Sequence, residues 1–172
     1  MIEELYALEI APPPHRTRPR SPWQRRQEQD AEGFRCAHCQ VYVSANLRLA
    51  GVQHRNHCPY CLWSRHLDCL AAGDRLSACR EKMKPVGLAL KISPKKYASP
   101  NGGELMLVHE CQGCGKISAN RIAADDQAEA ILEVFEDSIA RGTAQRIESP
   151  GLQILGRAEK RLVMERLFGR DL

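Results

Sequence analysis

Three Cys-x-x-Cys pairs constrain this chain more than any other feature. Cys36 and Cys39, Cys58 and Cys61, and Cys111 and Cys114 make up six of its eight cysteines, with Cys69 and Cys79 standing alone. Two intervening residues let both sulfurs of a pair reach one ion at about 2.3 Å while backbone amides point at them. Eighteen residues separate Cys39 from Cys58, which falls within the spacing of zinc sites built from two such pairs. Disulfides are the competing use of so many cysteines, and they need an oxidising compartment. The opening residues carry Glu3 and Glu4 rather than a basic run, and Pro12, Pro13 and Pro14 follow soon after, unlike a secretory leader. No stretch approaches the roughly 18 apolar residues of a membrane span. The expectation is therefore a cytoplasmic, metal-binding chain that does not enter a membrane.

The remaining cysteines call for a second zinc. Leu88, Leu90 and Ile92 alternate as a strand does. Asn101, Gly102 and Gly103 supply turn chemistry, and Leu105 to His109 reads as the returning strand. That hairpin is framed by Cys79 on one side and by Cys111 and Cys114 on the other. Three ligands need a fourth, and His66, Cys69 and His109 are the candidates. Around the first site, Val41 to Val43 and Leu47 to Leu49 flank Ser44 to Asn46 like a short hairpin. Leu62 to Leu70 has helical character as far as Gly73. A knuckle, a hairpin and two ligands opening a helix make a treble clef, favoured here over a plain zinc ribbon. The fold class is a small α+β domain stabilised by metal.

Three segments follow from composition. Residues 1–33 are rich in Pro and Arg, with Trp23 as the one large apolar residue of their basic stretch. They read as a flexible tail, or as an arm whose Trp23, Arg25 and Arg26 meet a nucleic acid. Residues 34–126 form the metal module. From residue 127 to 172 lies a helical extension: Ala128, Ile131, Leu132, Phe135 and Ile139 mark one amphipathic helix, capped by Asp125 or Asp126. A second helix opens at Ser149 and Pro150 and carries Leu155, Ala158, Leu162, Val163 and Leu167. These two helices either pack on the metal module or dock a protein partner.

Charge is uneven. Residues 34–122 carry thirteen Arg and Lys against five Asp and Glu, although the whole chain nets only +4. Such a surplus around small knuckles suggests an anionic partner, somewhat reduced because four thiolates on one zinc leave a net −2.

The run Arg55-Asn56-His57-Cys58-Pro59 spells the motif that names the RNHCP domain family of bacteria and archaea. Phe34, Cys36 and Cys39, then Cys61, Ser64, His66 and Asp68, then Gly73-Asp74-Arg75, resemble its blocks. So do Cys79, Met83 and Pro85, His109, Cys111, Cys114 and Gly115, and Asn120 to Ala123 with Asp125 and Asp126. The resemblance covers about residues 34 to 126 and implies a compact zinc-binding domain, without an established activity. It also favours His66 over Cys69 as the fourth ligand, so the expected metal residues are Cys36, Cys39, Cys58, Cys61, His66, Cys79, Cys111 and Cys114.

Function then divides three ways. The favoured expectation is no enzyme but a structural zinc adaptor for structured RNA or the ribosome, contacting phosphates through Arg55, Arg65, Arg75, Lys84, Lys95, Lys96, Lys116 and Arg121. The alternative is a metal-dependent nuclease in which His57 activates water and Asn56, His66 or Asp68 holds a catalytic ion. The third is a protein-interaction module built on the C-terminal helices. Thiol redox chemistry lacks its βαβ context.

Overall fold

The computed structural model describes residues 33–92 and 103–169. Strand β1 (Phe34–Arg35) pairs antiparallel with β2 (Tyr42–Val43), wrapping the first Cys-x-x-Cys pair. Strands β3 (Ser64–Arg65), β4 (Lys82–Ile92), β5 (Gly103–Cys111) and β6 (Ile117–Arg121) follow in sheet order, all antiparallel. The long hairpin of β4 and β5 is the backbone of this sheet. β5 covers one edge of β4 from Met83 to Ile92. The other edge is shared: β3 pairs with its first residues, and β7 (Leu152–Ile154) pairs with Ala89 to Lys91. Pro85 has no N–H to give the ladder, and the register with β5 shifts between Pro85 and Gly87. A Cβ on Gly87 would lie 3.3 Å from Cβ of Ser138, so glycine there lets helix α2 (Ala128–Ala140) sit close on the sheet.

One core joins the metal module to the C-terminal extension. Leu88, Leu90 and Leu107 from the sheet, Leu62 from the second knuckle, and Ile131, Phe135, Leu155 and Val163 from the extension are all buried together. The apolar stripes of α2 and of α4 (Lys160–Phe168) thus face this core, through Ile131 and Phe135 on one and Val163 on the other. A four-residue α3 (Thr143–Arg146) and a 3-10 turn (Arg157–Glu159) complete the extension. Among the described residues, no helix is long and apolar enough to cross a membrane.

Several local expectations are corrected. Leu47–Ala50 is not a strand but a single helical turn, α1: the Asn46 side chain accepts from the Arg48 amide at 2.9 Å, and Gly51 closes it at φ 68°. β2 therefore pairs with β1. The helix after Cys61 is absent. Leu62 turns left-handed at φ 59° and the chain enters β3. Beyond it, Asp68 accepts from the amides of Gly73 and Arg75, and Asp74 from those of Cys69, Leu70, Ala71 and Leu76. Carboxylates that bind nearby amides compete with helical hydrogen bonds, and here they fold residues 68–76 into a loop. The helix that would define a treble clef is missing. The second C-terminal helix starts at Lys160 rather than at Ser149, because Leu152–Ile154 is drawn into the open half of the β4 edge. The expected tail, with Trp23, Arg25 and Arg26, falls outside the described residues, as do Lys95 and Lys96.

Candidate metal centres

The three Cys-x-x-Cys knuckles are built alike. In each, the residue after the second cysteine returns its N–H to the carbonyl of the first: Gln40 to Cys36, Leu62 to Cys58, Gly115 to Cys111, at 2.9–3.0 Å. The first cysteine in turn donates to the carbonyl five residues on, at Val41, Trp63 and Lys116. Gln40, Leu62 and Gly115 all take left-handed backbone, at φ 62°, 59° and 73°. Only one of the three is glycine. The strain of the other two, about 1–2 kcal/mol each for a residue with a Cβ, is tolerated where a bound ion organises the turn. Arg80, which follows Cys79, shares this geometry at φ 55°.

These turns gather two ligand sets, Cys36, Cys39, Cys58 and Cys61 in one and His66, Cys79, Cys111 and Cys114 in the other, with the ligand atoms of each set within 4.8 Å of one another. Sulfur separations are 3.5 Å for Cys36 to Cys61, 3.7 Å for Cys39 to Cys58, and 3.6 Å for Cys79 to Cys111. Tetrahedral zinc with bonds of about 2.3 Å would place sulfurs about 3.8 Å apart, whereas a disulfide needs about 2.05 Å. All eight cysteines are free. His66 completes the second set through Nδ1, 3.4 Å from Cys114 Sγ. Each set can hold one tetrahedral zinc ion. The chemistry agrees. Burial pushes the Cys58 and Cys61 thiols up, so their thiolates call for a cation beside them. The Val41 amide draws the Cys39 thiol down to about 7, and the amides of Cys114 and Gly113 outweigh burial to bring Cys111 down to about 6.

The two other candidates for the fourth ligand do different work. Cys69 is exposed in the loop set by Asp74, whose carboxyl lies far below the usual range because the amides of Ala71, Leu76, Cys69 and Leu70 bind it. His109 is fully buried: Nε2 donates to the Leu62 carbonyl at 2.7 Å, and Nδ1 accepts from Asn120 at 3.0 Å. It ties the β5–β6 pair to the second knuckle. Burial, with His57 adding to it, lowers its pKa from 6.5 to about 4. The unfolded chain therefore binds more protons between these values, and the stability His109 confers is lost as pH falls through that window. Urea unfolding in zinc-saturated buffer should show wild-type stability dropping more steeply from pH 7 to pH 5 than that of His109→Gln. Parallel slopes would count against it.

Immediately before Cys58 in the chain begins a cluster that sequence reasoning missed. Arg55, with a fully buried side chain, donates from Nη1 to both oxygens of Asp125 at 2.7 Å and from Nη2 to Asp126 at 2.9 Å. Its Nε donates to the His57 carbonyl at 3.1 Å. Asp126, whose side chain has no exposure, also accepts from His57 Nε2 at 2.8 Å and from the Ala123 amide at 2.7 Å. Asn56 offers its carbonyl to Ser64 Oγ at 2.9 Å, and Pro59 offers its carbonyl to Gln127 N at 3.1 Å, just ahead of α2. The run 55–59 thus fastens Asp125, Asp126, Ser64 and Gln127, and Cys58 adds a metal ligand. Asp125 and Asp126 do not cap α2 with their side chains; Gln127 occupies that position, without a side-chain bond.

Two expectations for this run are corrected. Arg55 does not reach an anionic ligand, because its guanidinium is enclosed by carboxylates. His57 is 1% exposed and held by Asp126, whereas a general base must come within hydrogen-bonding reach of its substrate. His66 belongs to the second ligand set, and Asp68 accepts from loop amides. The other basic residues scatter. Arg65, Lys116 and Arg121 are exposed, Lys84 and Arg75 half-buried. Arg121 pairs with Glu104 at 2.9 Å, Lys116 donates to the carbonyls of Asp68 and Cys69, and Arg75 donates to the Arg55 carbonyl at 3.3 Å.

Fold and site together define a small α+β metal-binding domain with two zinc-type centres. The RNHCP domain model matches residues 31–132, more than half of the chain, and the protein belongs to the RNHCP domain family. No curated protein and no solved structure matches the chain.

Proposed function

We propose that this protein is a non-catalytic adaptor for structured RNA, the ribosome included, with zinc as its scaffold. Both ligand sets are complete with four protein atoms, which leaves no open position for a reacting water. The observation that carries the reading is the basic surface of the metal module. Two filled sites would leave residues 34–122 with about five surplus positive charges. Among the described residues, the exposed side chains of Arg48, Arg65, Lys82 and Lys91 have no acidic partner, and neither does half-buried Lys84. Phosphates would complete them. Lys95 and Lys96, in the β4–β5 connection, add to the same charge.

Filter retention of a structured RNA by the zinc-loaded protein tests this. Affinity should fall roughly 10–1,000-fold between 50 and 200 mM salt if several phosphates are neutralised, and double reversal at Lys95 and Lys96 to Glu should weaken it further. No retention at 50 mM salt, or a flat salt response, would remove the proposal.

A further inference from the structure

A groove of about 200 Å³ runs between the first and second knuckles, lined by Phe34, Arg35, Ala37, Trp63, Arg65 and Arg75 among others. It is smaller than the roughly 300–1,000 Å³ of sites for drug-sized ligands and cofactors, and it suits something of the size of one nucleobase. Its composition is also particular. Trp63 lies flat against His38, with ring centroids 4.1 Å apart and planes 2° from parallel. Two exposed arginines stand beside this stack, Arg35 on β1 and Arg65 on β3.

Every part is held in place from outside the groove. The Trp63 carbonyl accepts the Cys58 amide and the His38 amide donates to Cys36 Sγ, so the first metal centre holds the backbone from which both rings project. Arg65 is positioned by the pairing of β3 with β4, where it sits opposite Lys82. Arg75 is anchored by its bond to the Arg55 carbonyl. A rigid aromatic surface flanked by cations is what unpaired bases use: the ring stacks, with little regard for sequence, while the phosphate meets the guanidinium. A base inside a duplex has both faces covered and cannot stack there.

We infer that this groove takes one unpaired RNA nucleotide, its base against the Trp63–His38 stack and its phosphate on Arg35 and Arg65. The inference rests on the RNA-adaptor reading and narrows it to single-stranded or looped segments.

The test uses the full chain, zinc-loaded, with Trp23→Phe so that Trp63 is the remaining tryptophan. Twelve-nucleotide oligouridine should quench Trp63 fluorescence saturably, and a blunt RNA duplex of the same length should not. Arg65→Gln and Arg35→Gln, both at exposed positions, should each reduce the salt slope for oligouridine by about 0.7, with a greater loss of affinity than Lys91→Gln causes. Trp63→Leu should weaken oligouridine about tenfold while zinc analysis still finds two ions per chain. Oligouridine bound without quenching, or the two arginine variants matching Lys91→Gln, would overturn the groove and leave the adaptor reading standing. If neither oligouridine nor structured RNA is retained at low salt, both fall.

Discussion

Chelating the metal from the loaded protein is expected to abolish its cooperative thermal transition. Metal analysis of the loaded protein should give two zinc ions per chain. Structural zinc contributes on the order of 10–16 kcal/mol in small zinc domains at neutral pH, against about 5–15 kcal/mol for the net stability of a whole domain. The two sites are not equal in this respect. Leu62, next in sequence to Cys61, is itself part of the main core, and the Pro59 carbonyl holds the entry to α2. Opening the first centre therefore loosens the C-terminal layer as well. Cys114, by contrast, is an exposed ligand at the end of the sheet. Cys58→Ser should abolish the transition, whereas Cys114→Ser should lower the stoichiometry to one zinc and leave a transition at reduced temperature. Circular dichroism melts beside metal analysis check both. An unchanged melt in excess EDTA, with zinc removed, would show that the ions do not hold the fold.

The second large effect belongs to Arg55. Truncation to Ala leaves the fully buried carboxylate of Asp126 without its guanidinium, and breaking a buried pair in this way costs about 3–5 kcal/mol. Arg55→Lys should rescue little, since one ammonium cannot meet both carboxylates and the His57 carbonyl in fork geometry. The double variant Arg55→Ala with Asp126→Ala should be less destabilised than the sum of the single changes, because each removes the partner the other strands. Urea denaturation of the four proteins measures this. Additive losses, or an Arg55→Ala variant with full stability and weakened RNA binding, would return Arg55 to the role of a ligand contact.

What could be read from the chain divides along the distance over which its information is local. A Cys-x-x-Cys pair carries its own turn, so three knuckles and the first ligand set were visible in spacing alone. The alternation of Leu88, Leu90 and Ile92 similarly announced the central hairpin. The choice of His66 depended on family resemblance, because nothing in a three-way contest among His66, Cys69 and His109 reveals which one the fold will bury against a carbonyl. The helix expected from Leu62 to Leu70 failed for a reason visible only in three dimensions: Asp68 and Asp74 bind amides several residues away. Likewise Leu152–Ile154 became a strand because half of one β4 edge was open. The Arg55 cluster left no periodic trace, and the hint was that Asp125 and Asp126 stand adjacent, where one was enough to cap a helix.

The partners in that cluster lie far apart along the chain. Asp125 follows Arg55 by seventy residues. During synthesis, the knuckle at Cys58 and Cys61 emerges long before the carboxylates that neutralise its neighbour. Until they arrive, Arg55 and His57 lack the carboxylates that hold them in the folded chain. Ribosome-bound chains stopped short of residue 125 should thus yield their first zinc to a chelator readily, whereas the released full-length chain should retain it. Metal retention then becomes a clock for translation, set by where Asp125 and Asp126 fall in the sequence.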